Sequence, residues 1–156
     1  MSVYLDNESD TICAIATPPG HGGIAVVRIS GDEALSVAKK CCSFLPSEPD
    51  SHHVYYGFLE NKQKEKIDEV LCTYFAKGRS FTGEPVVEIS CHGGDFLTQT
   101  VLSIVVESGS RIAEKGEFSF RAFMNGRIDL VQAESILSLI QSETKRASQL
   151  SLSHLE

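Results

Sequence analysis

Apolar positions recur in two rhythms along this chain. From Ile24 to Ile29 they run almost unbroken, with Ile24, Val26 and Arg28 on one side of an extended strand and Ala25, Val27 and Ile29 on the other. Two largely apolar faces predict an interior strand. Arg28 is then the odd residue, because a guanidinium on such a strand needs a carboxylate or an anionic ligand. Val86 to Cys91 is a second strand, with Val87, Ile89 and Cys91 pointing one way and Val86, Glu88 and Ser90 the other. Glu88 taken alone is a carboxylate on a solvated strand face. Ile12 to Ala16 is a short strand. His53–Leu59 and Glu69–Ala76 form a hairpin around the polar Glu60–Lys66 turn.

Helical spacing takes over in four places. Ser30-Gly31-Asp32-Glu33 has the form of a capping box, followed by a helix to about Cys42. After Asp95, the residues Leu97, Val101, Ile104 and Val105 make one stripe, and Gly109 ends it. In Gly116–Ile140, Glu117 and Arg121 can pair at i,i+4. Asn125-Gly126 stops that helix, since both residues tolerate the left-handed conformation. Asp129 with Gln132 three residues on then caps a further helix, whose stripe is Ala133, Ile136, Leu137 and Ile140, with Ala147 beyond. Thr17–Gly23 cannot be regular: its two prolines remove donors and its three glycines open positive φ. Ser43–Asp50 and Lys77–Glu84 are loops, and residues 1–9 are a polar tail. The order lacks the steady β-α alternation of a doubly wound sheet. The fold class is therefore α+β, a mainly antiparallel sheet with helices packed on one face, followed by a C-terminal helix.

Charge narrows the functional classes. Fourteen Lys and Arg against 21 Asp and Glu give a net charge of −7 over 156 residues, a poor balance for a stand-alone nucleic-acid binder. Arg111, Lys115, Arg121 and Arg127 make one stretch locally basic, and the plain reading is a solvated face. The five cysteines are odd in number and no pair has zinc-like spacing. Cys13, Cys72 and Cys91 lie in strand-like runs, where a thiol acts as a small hydrophobe. The N-terminus lacks an apolar signal core and no apolar run has the length of a membrane span, so a cytosolic chain with reduced thiols is expected.

Candidate chemistry sits at the turns. Gly20-His21-Gly22-Gly23 and His92-Gly93-Gly94 suggest phosphate loops, yet G-x-x-x-x-G-K-[ST] occurs nowhere. His21 and His92 have no evident nucleophile partner, since Cys91 points to the opposite strand face from His92. Arg127, between two helix ends, is a plausible anion-binding corner.

Three ordered blocks carry a family resemblance: ATPPGHGGIAVVRISG at Ala16–Gly31, FTGEPVVEISCHGG at Phe81–Gly94, and RIAEKGEFSFRAFMNGRIDLVQAESILSLI from Arg111. Together they resemble the MnmE (TrmE) family of tRNA-modification GTPases. Lys115 and Pro85 stand where that family usually has Pro and Asp, Ser138 where an acidic residue is common, and Ser135 where Ala is usual. The resemblance implies a 1–9 tail, an N-terminal folate-binding and dimerisation domain over 10–126, and the first helix of a helical domain over 127–156. It implies a fold like the folate-binding domain of the glycine-cleavage aminomethyltransferases. The cofactor would be 5-formyl-tetrahydrofolate or methylene-tetrahydrofolate, with Arg28, Glu88 and Arg127 at the ligand. GTP, potassium and magnesium would belong to a G domain outside this sequence. The implied assembly is a cytoplasmic homodimer that works with the MnmG (GidA) flavoprotein on the wobble uridine of tRNA, adding an aminomethyl or carboxymethylaminomethyl group. A stand-alone folate-dependent aminomethyltransferase and a pure dimerisation module are the rival readings.

Overall fold

The computed structural model describes residues 10–141; the tail over 1–9, Ala147 and the rest of the chain beyond Gln141 lie outside the described residues. The strands are β1 (Ile12–Ile15), β2 (Ile24–Ser30), β3 (His53–Glu60), β4 (Lys66–Phe75), β5 (Val86–His92) and β6 (Arg111–Ile112). The helices are α1 (Ala34–Cys41), α2 (Asp95–Glu107), α3 (Glu117–Met124) and α4 (Leu130–Gln141). The chain divides into two compact units. The first takes in the described residues up to Ser80 with Glu84–Ala113, and the second takes in Phe81–Gly83 with the described residues from Glu114 onward.

The first unit is built on one six-stranded sheet in the order β3-β4-β5-β2-β1-β6. Four of its five pairings are antiparallel, as the sequence implied. The fifth makes the sheet mixed: β6 pairs parallel with β1. A two-residue strand has too little pattern to announce itself, which is why the sequence reading has no β6. β2 is interior, paired on both sides, and among the described residues one of its faces is much more deeply buried than the other. Ala25, Val27 and Ile29 join Val87, Ile89 and Cys91 of β5 in the core, packed with Val37 and Cys41 of α1 and Val101 and Val105 of α2. Full burial of each such aliphatic side chain is worth about 1.5–3 kcal/mol, so this face holds the unit together. All five cysteines are buried free thiols here, in keeping with the reading of Cys13, Cys72 and Cys91 as small hydrophobes.

Three local expectations need correction. The Ser30–Glu33 capping box does not form: α1 is capped at Glu33 without a side-chain bond. Ser30 ends β2 and donates its hydroxyl to Glu84 Oε2 at 2.7 Å, while the Glu33 N–H goes to Thr11 Oγ1. The buried stripe of α2 is Thr98, Val101, Leu102 and Val105, with Leu97 and Ile104 only half-buried, because the core meets a slightly rotated face of the helix. In the Thr17–Gly23 loop only Gly20 takes positive φ. Closeness is what requires glycine at Gly93. Gly93 donates its N–H to Gly23 O at 3.1 Å, and a Cβ on Gly93 would strike the carbonyl of Gly22. The two glycine-rich turns therefore cross backbone to backbone.

In the second unit the sequence signals are realised closely. Glu117 and Arg121 pair within α3, Nη2 to Oε1 at 3.0 Å, and both side chains are 5% exposed. Glu117 Oε2 also accepts the Glu114 N–H at 2.8 Å, so the carboxylate serves the start of the helix where its charge suits the dipole. One of the four cations read as a solvated face is thus placed otherwise, since Arg121 is buried in this pair, whereas Arg111 of the first unit meets Asp10 at 3.2 Å in an exposed contact. At the C-terminus Gly126 is left-handed, φ 68°, whereas Asn125 is not. The Arg127 N–H reaches Ala122 O and the Gly126 N–H reaches Phe123 O, the two bonds of a Schellman ending. The Asp129 box forms in full: Gln132 donates its N–H to Asp129 Oδ1 and Asp129 donates its own to Gln132 Oε1.

Candidate ligand site on the open face of the sheet

The register of β2 against β5 places Arg28 directly opposite Glu88. Their side chains meet on the sheet face away from α1 and α2, with Arg28 Nε and Nη2 each 2.8 Å from Glu88 Oε1. The carboxylate that Arg28 requires is therefore Glu88, sixty residues away. The guanidinium is 30% and the carboxylate 28% exposed, so the pair is anchored yet reachable. Its row continues to Thr73 on β4 and Ala14 on β1. The next row carries Tyr56, Leu71, Ser90 and Val26. The arrangement is a charged pair set in a largely uncharged, partly apolar surface. A ring with N–H donors on one edge could lie on that surface and present them to Glu88.

One row further stands His92, opposite Ile24. Asp68 grips it twice, accepting the His92 main-chain N–H at 2.8 Å and meeting Nδ1 at 2.7 Å. The imidazole is 65% exposed, whereas the Asp68 side chain is only 8% exposed. The hydrogen bond and the charge of Asp68 raise the His92 pKa above its usual value. Asp68 is the residue that sequence reasoning missed. It falls between the Glu60–Lys66 turn and the Glu69–Ala76 strand expected from the sequence, and nothing in IDEV marks one of its two acidic residues as a partner for a histidine twenty-four positions on. Ile24 also lines a cavity of about 520 Å³ between the two glycine-rich turns, with Ile15, Thr17, Gly93, Thr98 and Gln99 among its walls. Arg28 and Glu88 are not among its lining residues, so the concave feature and the charged pair are separate parts of this unit.

Arg127 belongs to the second unit. It follows the Schellman turn, exposed, and its aliphatic stem approaches Gly83, where an added Cβ would come within 3.1 Å of Cγ. Asn125 beside it donates to Thr82 O at 2.8 Å, tying the Phe81–Gly83 segment to the end of α3. The structure thus pairs two of the three expected site residues, Arg28 and Glu88, and leaves Arg127 exposed just after the end of α3.

Other chemistry finds little support. Burial raises the Cys13 and Cys91 thiols, and in Cys41 the hydrogen bond with Cys42, then burial, acts the same way. Such thiols are poor nucleophiles. Among the described residues no group of three His, Cys, Asp or Glu could hold a metal ion, and no helix is long and apolar enough to cross a membrane.

The comparisons with known proteins agree with one another. The family model described as the GTP-binding protein TrmE N-terminus matches residues 11–127. A tRNA modification GTPase MnmE of Bdellovibrio bacteriovorus is 57% identical over 152 residues, covering 97% of this chain and 32% of the relative. The protein of that name in Protochlamydia amoebophila is 49% identical over 138 residues, covering 88% of this chain and 30% of the relative. That of Ligilactobacillus salivarius is 43% identical over 158 residues, covering 100% and 34%. The chain thus spans about a third of the length of the curated relatives it matches. With the model extending from β1 across both residues of the charged pair to Arg127, this chain belongs to the TrmE family, matching its N-terminal region.

Proposed function

We propose that this chain is the one-carbon-binding, dimerising part of a tRNA-modification GTPase. Its ligand would be a reduced folate, 5-formyl-tetrahydrofolate or methylene-tetrahydrofolate. The single observation that carries the reading is the Arg28–Glu88 pair on the open sheet face. The donor set fits such a ligand: Arg28 orients the carboxylate, and the carboxylate accepts from the donor edge of a pterin ring. Arg127 is the third ligand residue, assigned by its place in the NGRIDL motif. When bound, the folate supplies the one-carbon unit. A fold akin to the folate-binding domain of aminomethyltransferases belongs to this same reading.

The relatives are named as tRNA modification GTPases. On the proposed reading the whole protein hydrolyses GTP, with potassium and magnesium, and cooperates with the MnmG flavoprotein in the cytoplasm to modify the wobble uridine. This chain contains no G-x-x-x-x-G-K-[ST] stretch, so purified alone it turns over no GTP.

Calorimetric titration with 5-formyl-tetrahydrofolate tests the site. Truncating one partner of a desolvated charged contact costs about 2–5 kcal/mol. Glu88→Ala and Arg28→Ala should each weaken binding roughly 30-fold or more, at about 1.4 kcal/mol per tenfold. Arg127→Lys keeps the charge and should be milder. Unchanged affinity in Glu88→Ala, with a normal melt, would place the ligand elsewhere.

A further inference from the structure

The cavity between the two glycine-rich turns plays no part in the site above. Its volume of about 520 Å³ suits a small molecule, since ligand pockets run from about 300 to 1,000 Å³. Ile15, Pro18, Pro19, Ile24 and Ala25 give it apolar walls. Two hydroxyls in its lining are engaged within the chain. Thr17 Oγ1 accepts the Val26 N–H at 3.2 Å, and Thr98 donates to Gly94 O at 2.9 Å. Asp95 is the one carboxylate among the residues that line it. Asp95 is exposed and caps nothing, for α2 begins at Gly94 without a side-chain bond.

His92 borders the same turn. Gly93 and Gly94, which separate it from Asp95, line the cavity, as does Ile24, its partner across the strands. Anchoring the end of β5 needs only the main-chain bond from His92 to Asp68 Oδ2; the second bond, between Oδ1 and Nδ1, fixes the ring. An ionised carboxylate only accepts, so Nδ1 carries the proton, and in the neutral imidazole Nε2 is left as an acceptor. The charges that face this ring, Asp68 and Glu69 of β4, are both negative. Ile24 of β2 is uncharged, and the other titratable group on the cavity wall is His21. The whole chain stands at −7. Such surroundings repel an anion and draw in a cation. We propose that this cavity binds a small molecule with an apolar body and a primary ammonium group. Asp95 takes the charge, His92 Nε2 accepts an N–H from the ammonium, and Asp68 is the positioning residue for the imidazole.

Titration of the chain with propylamine, propanol and propionate, followed by amide NMR shifts, tests the site. The three probes share a propyl body and differ in charge. Propylamine should shift the Gly22, Gly93 and Thr98 amides and bind more tightly than propanol, with propionate weakest. Asp95→Asn should cost about two- to fivefold in propylamine affinity, the range of an exposed ion pair. A bound ammonium disfavours protonated His92, so propylamine affinity should rise with pH through the raised His92 pKa and then level off. His92→Gln keeps an acceptor and should flatten that rise, whereas Asp68→Asn should move it to lower pH. Absent binding, or equal binding of propylamine and propanol, would overturn the site. A pH profile untouched by His92→Gln would overturn the role of His92 and Asp68, making their pair structural. The titration contains no folate, so its outcome is separate from that of the folate reading.

Discussion

Two arginine–carboxylate pairs of nearly equal length do different work in this molecule. Arg121–Glu117 joins residues four apart on α3 and is 5% exposed on both sides. Arg28–Glu88 joins residues sixty apart on neighbouring strands and is about 30% exposed. The closed pair has no room to exchange partners. Each charge has the other as a close partner, and Glu117 also accepts the Glu114 N–H. The open pair keeps solvent access at the carboxylate, so a ligand can share it. Ion-pair geometry alone does not distinguish the two pairs; burial does.

The comparison breaks first at the closed pair. Glu117→Ala removes one partner of a buried ion pair, a loss of about 3–5 kcal/mol, to be read from urea unfolding. Replacing both members, Glu117→Leu with Arg121→Met, should recover most of that loss, since a well-packed apolar pair is often as stable as a buried ion pair. If the double variant is as unstable as the single one, the pair contributes something other than mutual neutralisation.

The open pair should respond the other way round. Glu88→Ala should shift unfolding by less than about 1 kcal/mol, the usual range for an accessible ion pair, while abolishing most ligand affinity. A large stability loss without a ligand effect would make this pair structural too and erase the contrast.

The third and smallest effect belongs to His92–Asp68, an exposed imidazole on a buried carboxylate. Its folded pKa is raised, so its stabilisation is fully present below the unfolded value of about 6.5 and is lost as pH rises through the raised one. Unfolding midpoints of the native chain and His92→Gln should converge as pH increases through that window. A difference that stays constant with pH would mean that Asp68 acts through the His92 main-chain N–H alone.

What the sequence discloses follows the range of each interaction. The Asp129–Gln132 box and the Gly126 ending are local, and their residue types almost dictate them. Arg28 was marked as needing a carboxylate because an arginine on an apolar strand is anomalous by itself. That its partner is Glu88 depends on a strand register set by residues far away in the chain. Asp68 stayed hidden for the same reason. The Ser30–Glu33 box shows the opposite failure: a correct local signal lost to tertiary competition, with Glu84 taking the serine and Thr11 taking the N–H.

The sixty-residue span between Arg28 and Glu88 also sets a clock. During synthesis at about 5–20 residues per second, β2 leaves the ribosome roughly 3–12 s before β5 exists. In that interval β1 can pair with one edge of β2, and the β3–β4 hairpin, which forms within microseconds, can close on its own. The other edge of β2, apolar on either side of Arg28, has to wait. The charged pair is among the last contacts the sheet completes, so a nascent chain presents this exposed pair only once both edges of its central strand are paired.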